Sequence, residues 1–154
     1  MSSSNLTPEQ IRFIDALAEL LGTWSLSPNA ARLYGYLQLM NEAVSLDDIS
    51  RDLEISRSHA HTAARMLETH GNARAMKTRG SKRIVYVCGD DPGTPLKRQV
   101  TTLGYMSDLI AASVADVTKG EAALRLARLG AFHRRLQKAM QDAIDSSPSD
   151  RVDL

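Results

Sequence analysis

The chain has 154 residues, of which 43% are hydrophobic and 24% are charged, a composition typical of a soluble globular domain, alone or with a helical extension. No stretch approaches the ~20 consecutive apolar residues of a membrane span, and the single cysteine excludes an internal disulfide and favours the reducing cytoplasm. The formal net charge is only +1, but residues 55–83 carry seven basic residues against one acid, a net +6. Such a concentration of positive charge indicates a polyanionic partner.

Two helices are predicted before residue 41. The stretch Thr7–Gln10 combines an N-cap, a proline at the first helical position and a capping box, and the helix runs to about Leu21. Ser27 with the proline after it repeats the start signal for a second helix, which runs to about Met40. The first helix is apolar on most of its sides, which indicates burial against a second chain or between other helices.

A short helix, a turn and a longer helix follow. Ser45 begins the short helix over 46–53, whose apolar residues share one face, and residues 54–55 break it. Ser56 caps the next helix, which is predicted over 57–69.

The period of the sequence then changes from 3.6 to 2. Residues 73–78 and 83–88 are the strands of a predicted β-hairpin, whose basic tip contains a glycine. Two long helices are predicted after the hairpin, over about 95–117 and 121–145. A short helix, a longer helix and a hairpin in this order are the plan of a winged helix-turn-helix.

The predicted fold class is therefore mainly α (α+β). We expect a winged helix-turn-helix DNA-binding domain over residues 27–90. An N-terminal dimerisation helix in residues 1–26 precedes it, and C-terminal dimerisation helices in residues 91–154 follow it.

The helix over 57–69 has two chemically distinct sides. At 100° per residue, one side carries the small or apolar residues Ala60, Ala63, Ala64 and Leu67, which allow close packing. The helix start and the rest of its surface carry candidate DNA-binding residues: Ser56, Arg57, Ser58, His59, His61, Thr62 and Arg65. Arginine can pair bidentately with guanine, and hydroxyls can reach bases or phosphates. The helix start also presents free backbone N–H groups to a phosphate.

The hairpin tip supplies three more candidate DNA contacts, Arg79, Lys82 and Arg83, with no acid among them. A basic tip of this kind can enter a minor groove or follow the phosphate backbone. The two-helix spacing, the alanine side and the basic hairpin together favour double-stranded DNA as the partner over a merely solvated basic surface.

Five stretches carry a resemblance to a known family: Ser27–Leu37, Ser45–Ile49, Leu53–Ala60, Arg65–Gly71 and Arg79–Tyr86. In these stretches the chain resembles the MarR superfamily of bacterial transcriptional regulators, and within it the GbsR-like branch. The resemblance implies a cytoplasmic, symmetric homodimer, held by its terminal helices, that binds a pseudo-palindromic operator. The two-fold axis of such a dimer places its reading helices about 34 Å apart, one turn of duplex.

Other kinds of site receive little support from the sequence. His59 and His61 point about 200° apart on a helix and cannot share one ion, so we expect no metal. No phosphate loop, nucleophile elbow or paired acidic dyad is present, so we expect neither an enzyme nor a cofactor. Cys88 is either a redox sensor or a small strand residue, and the lack of a second cysteine favours the latter.

Two interpretations of the aromatic residues stay open. They either line a pocket for a small-molecule effector, since aromatic faces suit cationic ligands, or pack in the core and at an interface. The residues concerned are Trp24, Tyr34, Tyr36 and Tyr105.

We therefore expect a sequence-specific DNA-binding transcriptional regulator that acts as a homodimer. A repressor is favoured over an activator, because no segment is suited to contact a polymerase. Two alternatives remain: a winged-helix module that binds a protein, which should expose apolar anchors rather than cations, and a nucleoid-type DNA binder with little sequence preference.

Overall fold

Six helices and three short strands make up residues 4–146, the part of the chain that this structure, a computed structural model, describes. The chain divides into two units, Met1–Asp90 and Asp91–Leu154. In chain order the elements are α1 (Pro8–Leu21), a 3-10 turn (Gly22–Trp24), α2 (Pro28–Leu39), β1 (Val44–Ser45), α3 (Leu46–Asp52), α4 (Arg57–Thr69), β2 (Ala73–Lys77), β3 (Ile84–Cys88), α5 (Thr94–Val117) and α6 (Gly120–Ser146).

Hydroxyl side chains fix where the first four helices begin. In each case the side-chain oxygen of the N-cap residue accepts a hydrogen bond from the backbone N–H three residues later, at 3.1–3.2 Å. The N-cap residues are Thr7, Ser27, Ser45 and Ser56. Because the cap satisfies a backbone donor that the helix leaves free, each stabilises its helix by about 1 kcal/mol. The predicted starts are confirmed, and these helices end within one residue of the predicted positions.

The core of the first unit surrounds α2. This helix contacts α1, α4 and β3, and its Leu33 and Tyr36 are buried. α4 packs against α2 and α3 with its small-residue side, where Ala60, Ala64 and Leu67 have no exposed surface. The predicted packing side of α4 is confirmed, and its opposite side is left to solvent.

The hairpin strands β2 and β3 pair antiparallel, in a register that runs from Ala73↔Cys88 to Lys77↔Ile84. The predicted hairpin is therefore confirmed. β1 pairs with the other side of β3, opposite Tyr86, so the strand order is β1-β3-β2. The sequence does not predict β1, because two residues are too few to show an alternating pattern.

The hairpin returns to the end of α4 through a close backbone approach at Gly89. Its N–H donates to the Asn72 carbonyl at 3.0 Å, and a Cβ built on Gly89 would lie 2.5 Å from the carbonyl oxygen of Gly71. Gly71 has a φ of +79°, a left-handed conformation that glycine adopts without strain. These two glycines fix how the hairpin is attached to α4.

In the second unit, α5 and α6 pack against each other through small residues. Gly104, Ser107 and Gly130 are buried, and the Ser107 hydroxyl donates to the Gly130 carbonyl at 3.1 Å. Several large apolar side chains of the same two helices remain exposed: Tyr105, Leu109, Val117, Leu124 and Phe132. Contiguous apolar surface on a helix pair normally marks an interaction surface.

A buried carboxylate joins the segment before α1 to α2 and α3. Asp52, which is 6% exposed, accepts hydrogen bonds from the Tyr36 hydroxyl at 2.9 Å and the Asn5 backbone N–H at 3.1 Å. The Arg51 guanidinium donates to it at 2.9 Å. Burial alone raises the pKa of Asp52, but these donors outweigh burial and hold the pKa below its ordinary value.

We expect Asp52→Ala to lower the free energy of unfolding by about 1–3 kcal/mol, because the Tyr36 hydroxyl then stays buried without its acceptor. Chemical denaturation at pH 7 measures the loss. Because the pKa of Asp52 is depressed in the folded state, its stabilising effect is complete above the unfolded aspartate pKa of about 3.9. That effect is lost as the pH falls through the folded pKa.

Asp15→Ala is the control variant, because Asp15 is half exposed and pairs with Arg32 at the surface. The wild-type protein should lose stability below about pH 4 more steeply than Asp52→Ala does. Equal stability of the two variants at pH 7 would contradict the role given to Asp52.

Candidate nucleic-acid interface

The outer side of α4 is exposed along its length. Every candidate DNA-binding side chain on this helix is accessible to solvent: Arg57, Ser58, His59, His61, Thr62 and Arg65. Ser56 precedes them, and its hydroxyl oxygen accepts the His59 N–H at 3.1 Å as the helix cap. The hydroxyl hydrogen of Ser56 is still free to donate to a phosphate.

Arg57 is not a free cation. Its Nη1 lies 2.7 Å from Oδ1 of Asp47, in the first turn of α3, and the two side chains are 69% and 60% exposed. The helix that bears Arg57 has no acid near its start, so periodicity within α4 gives no sign of this partner. Only the packing of α3 against α4 brings the two side chains together.

Arg65 has a weaker partner on its own helix. Its Nη1 lies 3.9 Å from Oε2 of Glu68, one turn further on. Exposed pairs of this kind contribute little and are screened by salt, so Arg65 can exchange its carboxylate for a phosphate.

Arg83 holds the base of the hairpin against α3. Its Nη2 donates to the Ser45 hydroxyl at 2.7 Å and lies 4.0 Å from Oδ2 of Asp48. Ser45 and Asp48 form the capping box of α3, and the hydrogen bonds that Asp48 receives from the Ser45 hydroxyl and backbone N–H lower its pKa. Arg83 therefore serves as an anchor of the hairpin in addition to its expected contact with DNA.

The tip of the hairpin keeps two exposed cations, Arg79 and Lys82, which make no ion pair within the described residues. Gly80 between them has a φ of +80°, which turns the chain at the tip. The first turn of α3 contacts both Arg57 and Arg83. It therefore lies between the start of α4 and the base of the hairpin, and the two candidate DNA-binding elements are neighbours.

The aromatic residues are not gathered in one environment. Tyr36 is a core residue whose hydroxyl donates to Asp52. Tyr34 is half-buried, whereas Trp24 and Tyr105 are largely exposed, at 65% and 71%. Core packing therefore accounts for Tyr36 but not for the two exposed side chains.

Cys88 is half-buried in β3, where its Sγ accepts a hydrogen bond from the Gln38 amide. Burial raises the pKa of its thiol, and this disfavours the reactive thiolate. Within residues 4–146, no three His, Cys, Asp or Glu side chains gather in a way that could hold a metal ion. In the same range, no helix is both long and apolar enough to cross a membrane.

Comparison with known proteins shows a similarity in fold to solved structures, but no similarity in sequence to a family or a curated protein. No protein-family model and no curated protein sequence matches the chain. Among solved structures, the chain is similar to the crystal structure of a transcriptional regulator, with a TM-score of 0.73 and 19% identity over 90% of this chain and 97% of that chain.

Two further solved structures are less similar. A MepR mutant from a multidrug-resistant S. aureus clinical isolate has a TM-score of 0.43 and 15% identity, over 84% of this chain and 90% of that chain. The transcriptional regulator SlyA has a TM-score of 0.40 and 14% identity, over 88% of this chain and 94% of that chain. The architecture described above and the first of these likenesses define the chain as a winged helix-turn-helix protein.

We expect Arg83→Ala to lower the free energy of unfolding by roughly 0.5–1 kcal/mol, because it removes a charged hydrogen bond between the hairpin and α3. Lys82→Ala, next to it, should change stability by less than about 0.5 kcal/mol. Urea denaturation of both variants measures the difference. Equal stability of the two would mean that Arg83 does not anchor the hairpin.

Proposed function

We propose that this chain is a sequence-specific DNA-binding transcriptional regulator that acts as a homodimer. The observation that carries the proposal is the exposed basic side of α4 beside the exposed basic tip of the hairpin. The two elements are neighbours across the first turn of α3. A helix whose packing side is made of small residues and whose outer side carries arginines and hydroxyls suits the major groove.

The residues take different roles in this proposal. Arg57 and Arg65 read base edges, assisted by the hydroxyls and the His61 imidazole of the same side of α4. His59, on another side, reaches a phosphate instead. Ser56 and Ser58, at the start of α4, bind a phosphate through backbone N–H and hydroxyl groups. Arg79 and Lys82 enter a flanking groove or follow the phosphate backbone, which fixes position without reading sequence.

Exposed apolar residues support the dimer. The second unit leaves Tyr105, Leu109 and Phe132 accessible, and an open, mostly apolar groove at the α5–α6 turn is lined by residues such as Val117 and Leu129. On α1 and the 3-10 turn, Phe13, Leu20 and Trp24 are also exposed. We infer that residues 1–26 and 91–154 hold the dimer together and that residues 27–90 bind DNA. A two-fold symmetric dimer of this kind would bind a pseudo-palindromic operator.

The proposal extends to the type of regulator. The sequence resemblance to the MarR superfamily and its GbsR-like branch, together with a winged helix-turn-helix fold, supports a regulator of that type. The solved structure with the TM-score of 0.73 is described as a transcriptional regulator, which supports regulation of transcription but names no family. We infer a cytoplasmic repressor that acts by occluding a promoter. As an extension of this proposal, binding of a small-molecule effector would regulate it.

A protein-binding winged helix is less well supported. Such a module should present apolar anchors on its exposed recognition surface. The outer side of α4 presents cations, hydroxyls and an imidazole instead, and these suit a polyanion.

DNA binding can be tested with two duplexes, one enriched by the wild-type protein from a randomised library and one of random sequence. The wild-type protein should bind the enriched duplex more tightly, with an affinity that falls steeply as salt rises. Arg57→Ala should weaken the enriched duplex by about 1–3 kcal/mol and the random duplex less, because it removes a base contact. Lys82→Ala should weaken both alike and reduce the salt slope by about 1.

Fluorescence anisotropy at several salt concentrations measures both quantities. Equal losses on both duplexes from both variants would contradict the assigned roles. A wild-type protein that enriched no sequence from the library and did not bind the random duplex would contradict DNA binding altogether and favour the protein-binding module.

The dimer can be tested by placing charge on the exposed apolar side of α5 and α6. We expect wild-type protein to sediment at about twice the chain mass of 16.9 kDa, and a Leu109→Glu, Phe132→Glu double variant to sediment as a monomer, because two carboxylates cannot be buried there without partners. Lys138→Glu is the control and should stay dimeric, because Lys138 is an exposed position of α6 about 120° around the helix from Phe132. A monomeric wild-type protein at micromolar concentration would contradict the proposal.

A further inference from the structure

We propose that Asp47 makes Arg57 a base-reading residue rather than a phosphate-binding one, and so sets how strongly the protein prefers specific over random DNA. The inference rests on the proposed function and deepens it. Asp47 is a positioning residue, because it acts through Arg57 and not by touching DNA itself.

The geometry leaves one complete edge of the Arg57 guanidinium available. Nη1 donates to Oδ1 of Asp47 at 2.7 Å, and no other hydrogen bond from this guanidinium occurs within residues 4–146. A guanidinium has five donor hydrogens in a rigid fork. With Nη1 held by the carboxylate, the edge formed by Nε and Nη2 remains free for the two acceptors of a guanine, O6 and N7.

The contact between Asp47 and Arg57 does little for the fold. The two side chains are 60% and 69% exposed, and pairs this exposed contribute little to stability. Asp47 is also not needed to cap α3, because Ser45 and Asp48 already form the capping box. The consequence of the pair therefore lies in what Arg57 can bind.

A phosphate and a base edge respond to this pair differently. A phosphate that approaches Arg57 must share it with a carboxylate of the same charge, which raises the free energy of that contact. A guanine edge is neutral and uses donors that Asp47 leaves free. Because random DNA is held almost entirely through phosphate contacts, Asp47 weakens random binding more than specific binding.

The test compares Asp47→Asn with Glu9→Gln, using the enriched and the random duplex described above. Glu9 forms the matched control pair with Arg12, at 2.9 Å, with side chains 73% and 69% exposed. Both variants remove one negative charge from a surface pair, but Glu9 lies on α1, outside the basic segment. Thermal unfolding of each variant checks that the fold is kept.

We expect Asp47→Asn to raise the affinity for the random duplex about two- to fivefold, and to steepen its salt slope by about 0.9, because Arg57 is then free to neutralise one more phosphate. Affinity for the enriched duplex should not rise, so the ratio of the two affinities falls. Glu9→Gln should leave the ratio unchanged. In an Arg57→Ala background, Asp47→Asn should have no further effect, because Asp47 acts through Arg57.

Three results would overturn this inference while leaving the proposed function intact. Asp47→Asn could behave as Glu9→Gln does, it could raise both affinities by the same factor, or its effect could persist in the Arg57→Ala background. A wild-type protein that enriches no sequence from the library, whether or not it binds the random duplex, would overturn the proposed function, and this inference with it.

Discussion

The arrangement of the candidate interface depends on how α3 is held at its two ends. A helix of seven residues is too short to be stable alone. At its start, Ser45 and Asp48 close a capping box that also receives Arg83 from the hairpin. At its end, Asp52 is buried and accepts hydrogen bonds from the Tyr36 hydroxyl and from the segment before α1. Because α4 packs on α3 and the hairpin is anchored to it, these contacts fix the positions of both candidate DNA-binding elements.

Much of this fold could be predicted from the sequence because its signals are local. Each of the first four helices begins at a hydroxyl side chain that caps it. The spacing of Ala60, Ala64 and Leu67 predicts which side of α4 packs against the core. β1 could not be found, because it exists only through its pairing with β3. The burial of Asp52 could not be predicted either. A charged residue in a short amphipathic helix is expected to be exposed, and only the folded chain brings Tyr36 and Asn5 to hydrogen-bond with it.

The candidate site, like the fold, could be predicted from the sequence only in part, where local patterns determine it. Helical periodicity identifies the exposed side chains of α4, and the structure agrees with it at each position. The partners of those side chains are not periodic. Asp47 lies 10 residues from Arg57, and Ser45 lies 38 residues from Arg83. Such contacts follow from the packing of α3 against α4 and β3 against β1, which no pattern within one element reports.

These ion pairs divide the basic residues of the segment 55–83 into paired and unpaired cations. Four of its seven cations lie within 4.0 Å of a carboxylate: Arg57, Arg65, Arg74 and Arg83. The other three, Lys77, Arg79 and Lys82, have no such partner within the described residues, and all belong to the hairpin or its tip. Unpaired charge dominates the long-range field that draws a polyanion in, whereas a paired arginine must exchange or share its carboxylate before it can bind a phosphate. In the proposed function, the hairpin is therefore the element that captures DNA of any sequence, and α4 is the element that distinguishes one sequence from another.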